Sequence, residues 1–411
     1  MRRVVVTGAA GITGLGMDWP SIREQLIKGR NCVQHMDEWV DIQGLNCHLG
    51  APASTFQAPD HYPRIRTRTM GRNALMAVRA TEMALEEAGL LGDERLKSGR
   101  VGVSYGSSSG STDALAEMAH ILLSRTARKV NATSYVRLMG HTAAANIGLF
   151  FGLRGRVIPT VSACTAGSQG IGYGAEAIRH GLQDVMITGG SEELCPSHVG
   201  VFDILYATST RNDRPEETPR PFDAERDGLV VGEGAGTLIL ESLDHARKRG
   251  APILAELVGF ATNSDGRHVT RPDQDSMATV MRMALEDASL EPGAIDYINA
   301  HGTATGAGDI AESQATEAVF GQKTPIASLK GFLGHTLGAC GAIEAWLSIK
   351  MMRSGWFAPN LNLEQPDPAC GALDYLRGEG REIEAACVMN NNFAFGGINT
   401  SMILRMPESI G

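Results

Sequence analysis

The sequence predicts an α/β protein, on three observations. Short β-branched runs alternate with amphipathic helical stretches over most of the 411 residues. A second alternating series starts after about residue 250, so two similar α/β halves are expected, 1–250 and 251–411. The chain also carries 49 glycines, which points to tight turns and close helix packing.

Taken in order, Val4 to Thr7 reads as the first strand, and the glycines between Thr7 and Gly14 as a tight turn. That glycine run resembles a dinucleotide turn, but none of the seven tyrosines has a lysine four residues on, which sets a short-chain reductase aside. Arg72 to Gly89 has apolar residues every three to four positions and ends on glycine, the pattern of an amphipathic helix. A strand over Arg100 to Tyr105 runs into the small-residue loop Gly106 to Gly110. Asp184 to Thr188 is a strand closed by Gly189 and Gly190, and Thr210 to Gly234 a long surface excursion. Strand Thr237 to Glu241 precedes the boundary at Arg247 to Gly250. Beyond it the reading is strand 253–258, helix 276–289, strand 295–299, helix 309–320, strand 326–328, helix 338–353, and strands near Cys387 and Thr400. The triplets Gly140-His141-Thr142 and Gly334-His335-Thr336 echo each other, without a wider repeat.

No apolar run reaches the length of a membrane span, and the N-terminus lacks the apolar region of a signal peptide. Seven cysteines without CxxC spacing argue against a disulfide framework or a zinc site and favour a reducing cytoplasm. A net charge of −9 gives no support to nucleic-acid binding.

The chemistry centres on Cys164. It falls where a strand over Arg156 to Val161 turns into a glycine-studded helix, and there unpaired N–H groups and the helix dipole favour thiolate. Gly167, Gly170, Gly172 and Gly174 would each cost about 1 kcal/mol against alanine, so they imply a buried helix approached closely on several sides. His301 follows a strand in a loop of small and hydroxyl residues, and His335 precedes a helix with Lys330 five residues earlier. One cysteine with two histidines outside metal-ligand spacing reads as an acyl-transfer site. The run Asn390 to Asn399 reads as a turn with exposed amides around Phe395, suited to an oxyanion beside a movable aromatic.

On these residues the chain resembles the β-ketoacyl-acyl carrier protein synthases of the elongating, synthase II type. The likeness is carried by SACTAGSQGIGYG (Ser162 to Gly174), STRND (Ser209 to Asp213), RPFDAERDGLVVGEGAG (Arg220 to Gly236), NAHGTATGAGD, KGFLGH and NFAFGGIN. It implies a thiolase fold, two pseudo-equivalent halves in five layers, and a dimer, with itself or with a ketosynthase-like partner. It also implies decarboxylative condensation with acyl carrier protein as partner, without cofactor or catalytic metal. By the same likeness Cys164 is the nucleophile, His301 and His335 promote decarboxylation, and Lys330 and Glu312 hold the histidines in place. Thr303 and Thr305 would bind the pantetheine arm, Phe395 beside Gly396 would gate the pocket, and Ser109 would close the acyl tunnel. Arg64, Arg66, Arg68, Arg128 and Lys129 match carrier-docking positions, and Asn299, Glu344, Asn390 and Asn391 a structural cation site of some relatives. The chain departs from the pattern at Ala394 (usually glycine), Leu333 (threonine), Tyr206 (basic) and Ser109 (bulky aliphatic). Two alternatives share the fold: a non-catalytic chain-length partner, which lacks the nucleophile, and a thiolase, whose second cysteine would have to be Cys387.

Overall fold

The computed structural model describes residues 1–128 and 130–407; Lys129 lies outside them. Eleven strands form one sheet, and their order shows a duplication that the residues themselves hide. In the first half Val4–Ile12 is followed across the sheet by Gly234–Ser242, Val185–Glu192, Val101–Gly106 and Val157–Thr160. In the second half Ala255–Ser264 is followed by Ile398–Arg405, Cys387–Ala394, Tyr297–Asn299 and Pro325–Ala327, with Asp374–Tyr375 added at the edge. Each half thus has the spatial order first, fifth, fourth, second, third. Each also has two antiparallel pairings followed by two parallel ones. The halves join where Val5 and Val6 pair with Glu256 and Ala255. The Gly-His-Thr echo is no part of this repeat. Thr142 starts an outer helix, whereas His335 leads into a central one.

Two buried helices, Ala166–Arg179 and Cys340–Ser354, form the central layer and touch strands of both halves. Helix Arg72–Glu87 covers the first half from outside and helix Gln274–Ala288 the second, which completes five layers. The glycines of Ala166–Arg179 answer the expectation of close approach. A Cβ on Gly172 would sit 2.1 Å from the Phe260 ring, and one on Gly174 2.4 Å from Thr188.

Several expectations need correction. The first strand runs to Ile12, and Gly8 and Gly11 lie inside it because Ala84 and the Trp346 ring press on them; the turn comes at Thr13–Gly16. Gly189 and Gly190 likewise sit within strand Val185–Glu192. The stretch 210–234 is only partly a surface excursion, since 218–223 and 228–234 are buried. Asn390 to Asn392 are buried in a strand, and the turn begins only after Ala394. Among the described residues no helix is long and apolar enough to cross a membrane.

Candidate active site

Cys164 sits in a single 3-10 turn, Ala163–Thr165, between strand Val157–Thr160 and the central helix. Ala163 has φ +50, a left-handed backbone that is strained for a residue with a Cβ. Leu337 has φ +46 at the equivalent turn ahead of the other central helix. The two turns face each other: Cys340 Sγ donates to the Cys164 carbonyl at 3.3 Å, and His335 Nε2 lies 3.0 Å from Cys164 Sγ.

His335 is held through its backbone. Its N–H donates to Val230 at 2.7 Å and its carbonyl accepts from Gly232 at 2.9 Å, so part of the Arg220–Gly236 run is its cradle. His301 is fixed in the same way. Glu312, on helix Gly306–Phe320, accepts the N–H groups of His301 and Gly302 at 2.7 and 2.6 Å. The two imidazoles meet edge to face, centroids 5.0 Å apart. The reactive atoms of Cys164, His301 and His335 lie within 4.8 Å of one another.

Burial sets the protonation states. It pushes the Cys164 thiol up to about 12, against the opposing pull of Lys330 and the N–H groups of Cys164 and Phe395. The expected resting thiolate is therefore corrected to a thiol. The physical reason is that a buried sulfur loses more hydration than one helix terminus returns. Burial, then the Lys330 charge, holds His301 and His335 well below the ordinary imidazole value, so both are neutral near pH 7. With both groups neutral, the 3.0 Å contact is an S–H donating to Nε2. Burial also raises Glu312 to about 8.

Lys330 does not bond to a histidine. Its ammonium is paired with Glu344, whose other oxygen accepts from Asn392 at 2.7 Å, and Lys330 reaches the histidines only through its charge. Of the positions matched to a cation site, Glu344 is thus occupied. Asn390 Oδ1 accepts from Asn299 and Asn391 Oδ1 from Ser401, each at 2.7 Å. That leaves Asn299 Oδ1 as a buried oxygen without a partner, and one side-chain oxygen does not fit a cation.

A cavity of about 500 Å³ opens from these groups to the surface. Cys164, His301 and His335 lie at its buried end, Thr303 and Thr305 along its wall with hydroxyls 2.9 Å apart, and exposed Tyr206, Val269 and Arg271 at its mouth. Phe395 packs on Phe202 with centroids 5.2 Å apart, while its N–H points at the Cys164 sulfur. Gly396 and Gly397, at φ +90 and +70, turn the chain just beyond it. Ser109 is not part of the cavity wall. Its hydroxyl is bonded to Gly110 and lies 3.0 Å from His198 Nε2, because the serine loop is drawn onto Glu192 and His198.

Arg64, Arg66 and Arg68 are exposed on or next to the short helix Arg64–Thr67, and Arg128 is exposed in a separate loop. Sequence reading missed Cys340, Asn392 and the mouth residues Leu205 and Val269. Nothing local marks Cys340, Leu205 or Val269, and Asn392 lies in a marked run but reads there as part of a turn; the place of each follows from the pairing of the two halves.

Comparison with known proteins agrees along the whole chain. Residues 1–246 match the family model of the β-ketoacyl synthase N-terminal domain, and 254–364 that of its C-terminal domain. A 3-oxoacyl-[acyl-carrier-protein] synthase 2 of Coxiella burnetii is 36% identical, with 98% of each chain covered. The crystal structure of a β-ketoacyl synthase from Burkholderia phymatum is 56% identical, with TM-score 0.98 over 99% of this chain and 100% of that one. The ishigamide ketosynthase/chain length factor is similar at 31% identity and TM-score 0.90, covering 98% and 99%.

Proposed function

This chain belongs to the β-ketoacyl synthase family, and from that premise we propose a decarboxylative Claisen condensation in which Cys164 carries the acyl group. The observation that carries the assignment is the Cys164 sulfur 3.0 Å from His335 Nε2, with two backbone N–H groups directed at it. An acyl thioester arrives on acyl carrier protein. As the acyl–cysteine bond forms, the thiol proton passes to His335 Nε2 and on to the departing carrier thiolate. The N–H groups of Cys164 and Phe395 hold the oxyanion. Malonyl carrier then binds with Thr303 and Thr305 along its arm. Once the sulfur is acylated, Nε2 of His335 has no thiol proton to accept. The neutral ring carries its own proton on Nε2 in place of Nδ1, and that N–H, with His301, donates a hydrogen bond to the malonyl thioester oxygen. The bond to the carboxylate breaks, carbon dioxide leaves, and the electron pair stays as an enolate. Its carbon attacks the acyl-cysteine, and the sulfur leaves and takes up a proton.

Residues 1–250 contribute the nucleophile and 251–411 the histidines. Dimer formation, with a second copy or a ketosynthase-like partner, is supported by edge strand Val157–Thr160, by exposed Val157 and Val161 on and next to it, and by exposed Leu149 on the helix packed against it. A reducing cytoplasm is supported by seven free cysteines. Retained Cys164, His301 and His335 speak against a non-catalytic partner. The thiolase alternative is weakened by its own requirement. Cys340 rather than Cys387 lies beside Cys164, and its thiol is turned onto the Cys164 carbonyl and Asn392, outside the cavity wall.

For the acyl chain we favour one that is unsaturated or carries a polar end, as in polyene or polyketide assembly. Support comes from the likeness to a type II polyketide ketosynthase solved with its carrier protein and bound to a hexaketide, 31% identical at TM-score 0.87. Ser109, turned onto His198 outside the cavity wall, adds nothing to it. Fatty-acid elongation is the second reading, favoured by the names of the curated relatives. Acyl carriers of equal length, saturated against unsaturated or aryl-enoyl, decide between them when the mass added to Cys164 is read in competition. The unsaturated chain is expected to load faster. Preference for the saturated chain, unaltered by Ser109→Ile, ends the polyene reading.

Carrier docking gives a separate expectation. Charge reversal at Arg66 and Arg68 should raise the KM for carrier-bound substrate by roughly fivefold to tenfold at low salt and leave small thioesters unaffected. An unchanged KM removes the patch; Lys129 lies outside the described residues.

A further inference from the structure

The three side chains at the buried end of the cavity are also a set of soft metal ligands. Neither histidine stands in metal-ligand spacing along the chain, but the fold closes that gap. The ligand atoms of Cys164, His301 and His335 lie within 4.8 Å of one another, and all three residues are buried. No other group of three histidine, cysteine or carboxylate side chains among the described residues comes together in this way. A four-coordinate zinc ion with bonds of about 2.0–2.3 Å holds its ligand atoms roughly 3.3–3.6 Å apart. Cys164 Sγ and His335 Nε2, now 3.0 Å apart, have to open by about half an ångström, and the widest separation has to close by about 1.5 Å at most. Small rotations of three side chains cover both changes.

The donors select the ion. One sulfur and two imidazole nitrogens suit zinc, whereas magnesium and calcium require oxygen ligands. Glu312 does not supply them, because its oxygens are taken up by the N–H groups of His301 and Gly302. The cavity provides the path, and its open side leaves room for a water as fourth ligand. Two features hold the affinity down. His335 Nδ1 is buried without a hydrogen-bond partner, so nothing orients that ring for a metal, which costs about 10–100-fold. The Lys330 ammonium opposes a dication, although its pairing with Glu344 moderates the effect.

We propose that Cys164, His301 and His335 form an inhibitory zinc site, held by one sulfur and two imidazole nitrogens. The S–H bond breaks as the sulfur–zinc bond forms, and the proton leaves to solvent. The ion then occupies the sulfur that accepts the acyl group and the imidazoles that face the malonyl thioester, so the reaction stops until the ion is removed. An acylated sulfur is no longer a thiolate ligand, so acyl group and ion exclude each other. Binding of the ion stands apart from the condensation reading; only its effect on turnover rests on it.

Cobalt(II) serves as the probe, because a sulfur ligand adds a near-ultraviolet charge-transfer band to the visible bands of a four-coordinate ion. The full chain, kept reduced by a phosphine instead of a competing thiol, is titrated with cobalt, which is then displaced with zinc. One cobalt per chain is expected, with a zinc Kd of about 1 µM. Zinc at ten times that concentration should cut acyl loading of Cys164 about tenfold, and a chelator should restore it. Prior acylation of Cys164, which leaves the sequence intact, should abolish the sulfur band, as should Cys164→Ala. Cys195→Ser and Cys370→Ser remove partly exposed thiols elsewhere and should leave it unchanged. His301→Ala and His335→Ala should each weaken zinc binding by roughly tenfold or more. A sulfur band that survives acylation or Cys164→Ala overturns the site. So does inhibition by zinc without any sulfur band, and so does an affinity that neither histidine variant changes. A wild type that binds cobalt as expected but elongates no acyl chain overturns the condensation reading and leaves the ion site standing.

Discussion

Cys164→Ala is expected to lose condensation by about 10⁴-fold or more and to keep malonyl decarboxylation. The two activities separate because they use different atoms of one site. Acyl transfer needs the sulfur, which receives the chain and departs again. Decarboxylation needs only donors at the malonyl thioester oxygen, and His301 and His335 are held independently of the sulfur. Glu312 fixes the His301 backbone, and Val230 and Gly232 fix that of His335. Alanine also removes the S–H that Nε2 of His335 accepts at rest, so the neutral ring is free to carry its proton on that nitrogen and donate it to the malonyl oxygen. His301→Ala should lose both reactions, since no other side chain replaces a neutral imidazole at that place. Carbon dioxide released from malonyl carrier and β-ketoacyl product measured by mass spectrometry read the two activities side by side. Elongation by Cys164→Ala would refute the nucleophile assignment.

Lys330→Ala is the second large effect, and it acts on stability as well as chemistry. Lys330 and Glu344 are both fully buried, and their ion pair is the ammonium's direct contact. Burial alone would lower the lysine, but Glu344 reverses the direction and keeps it charged. Removing one partner leaves an uncompensated charge in the interior, at a cost of about 3–5 kcal/mol. Lys330→Met/Glu344→Gln removes both charges and should recover most of that loss in a denaturant titration. Activity should not recover with it. Lys330 lowers both the Cys164 thiol and the two imidazoles, so its loss makes the thiol harder to ionise and the histidines easier to protonate. A double variant as unstable as the single one would show that lost packing, not charge, is responsible. A stable double variant with full activity would show that the lysine charge does not tune the site.

Much of this molecule was legible before any coordinates. Helix Arg72–Glu87 follows from its own periodicity and terminal glycine, and it lies within two residues of the expected bounds. The packed glycine helix after Cys164 was readable because interior glycines are destabilising unless something presses on them, and Phe260 and Thr188 do. The residues of the site could be picked out because each lies in a short, distinctive run. Only the tertiary structure decided what those residues do to one another. Asn390 to Asn392 read locally as a turn, but they are a strand because Ile398–Arg405 pairs with all three and Asn299 pairs with Asn390 on the other side. Lys330 stands five residues from His335 in the chain, yet its partner is Glu344 on the central helix. Ser109 is drawn to His198, 89 positions away, instead of facing the cavity. Cys164 is a thiol at rest because the second half of the chain buries it. The common reason is that propensity and periodicity are carried by neighbouring residues, whereas burial, charge pairing and protonation depend on what the fold brings together from far along the chain.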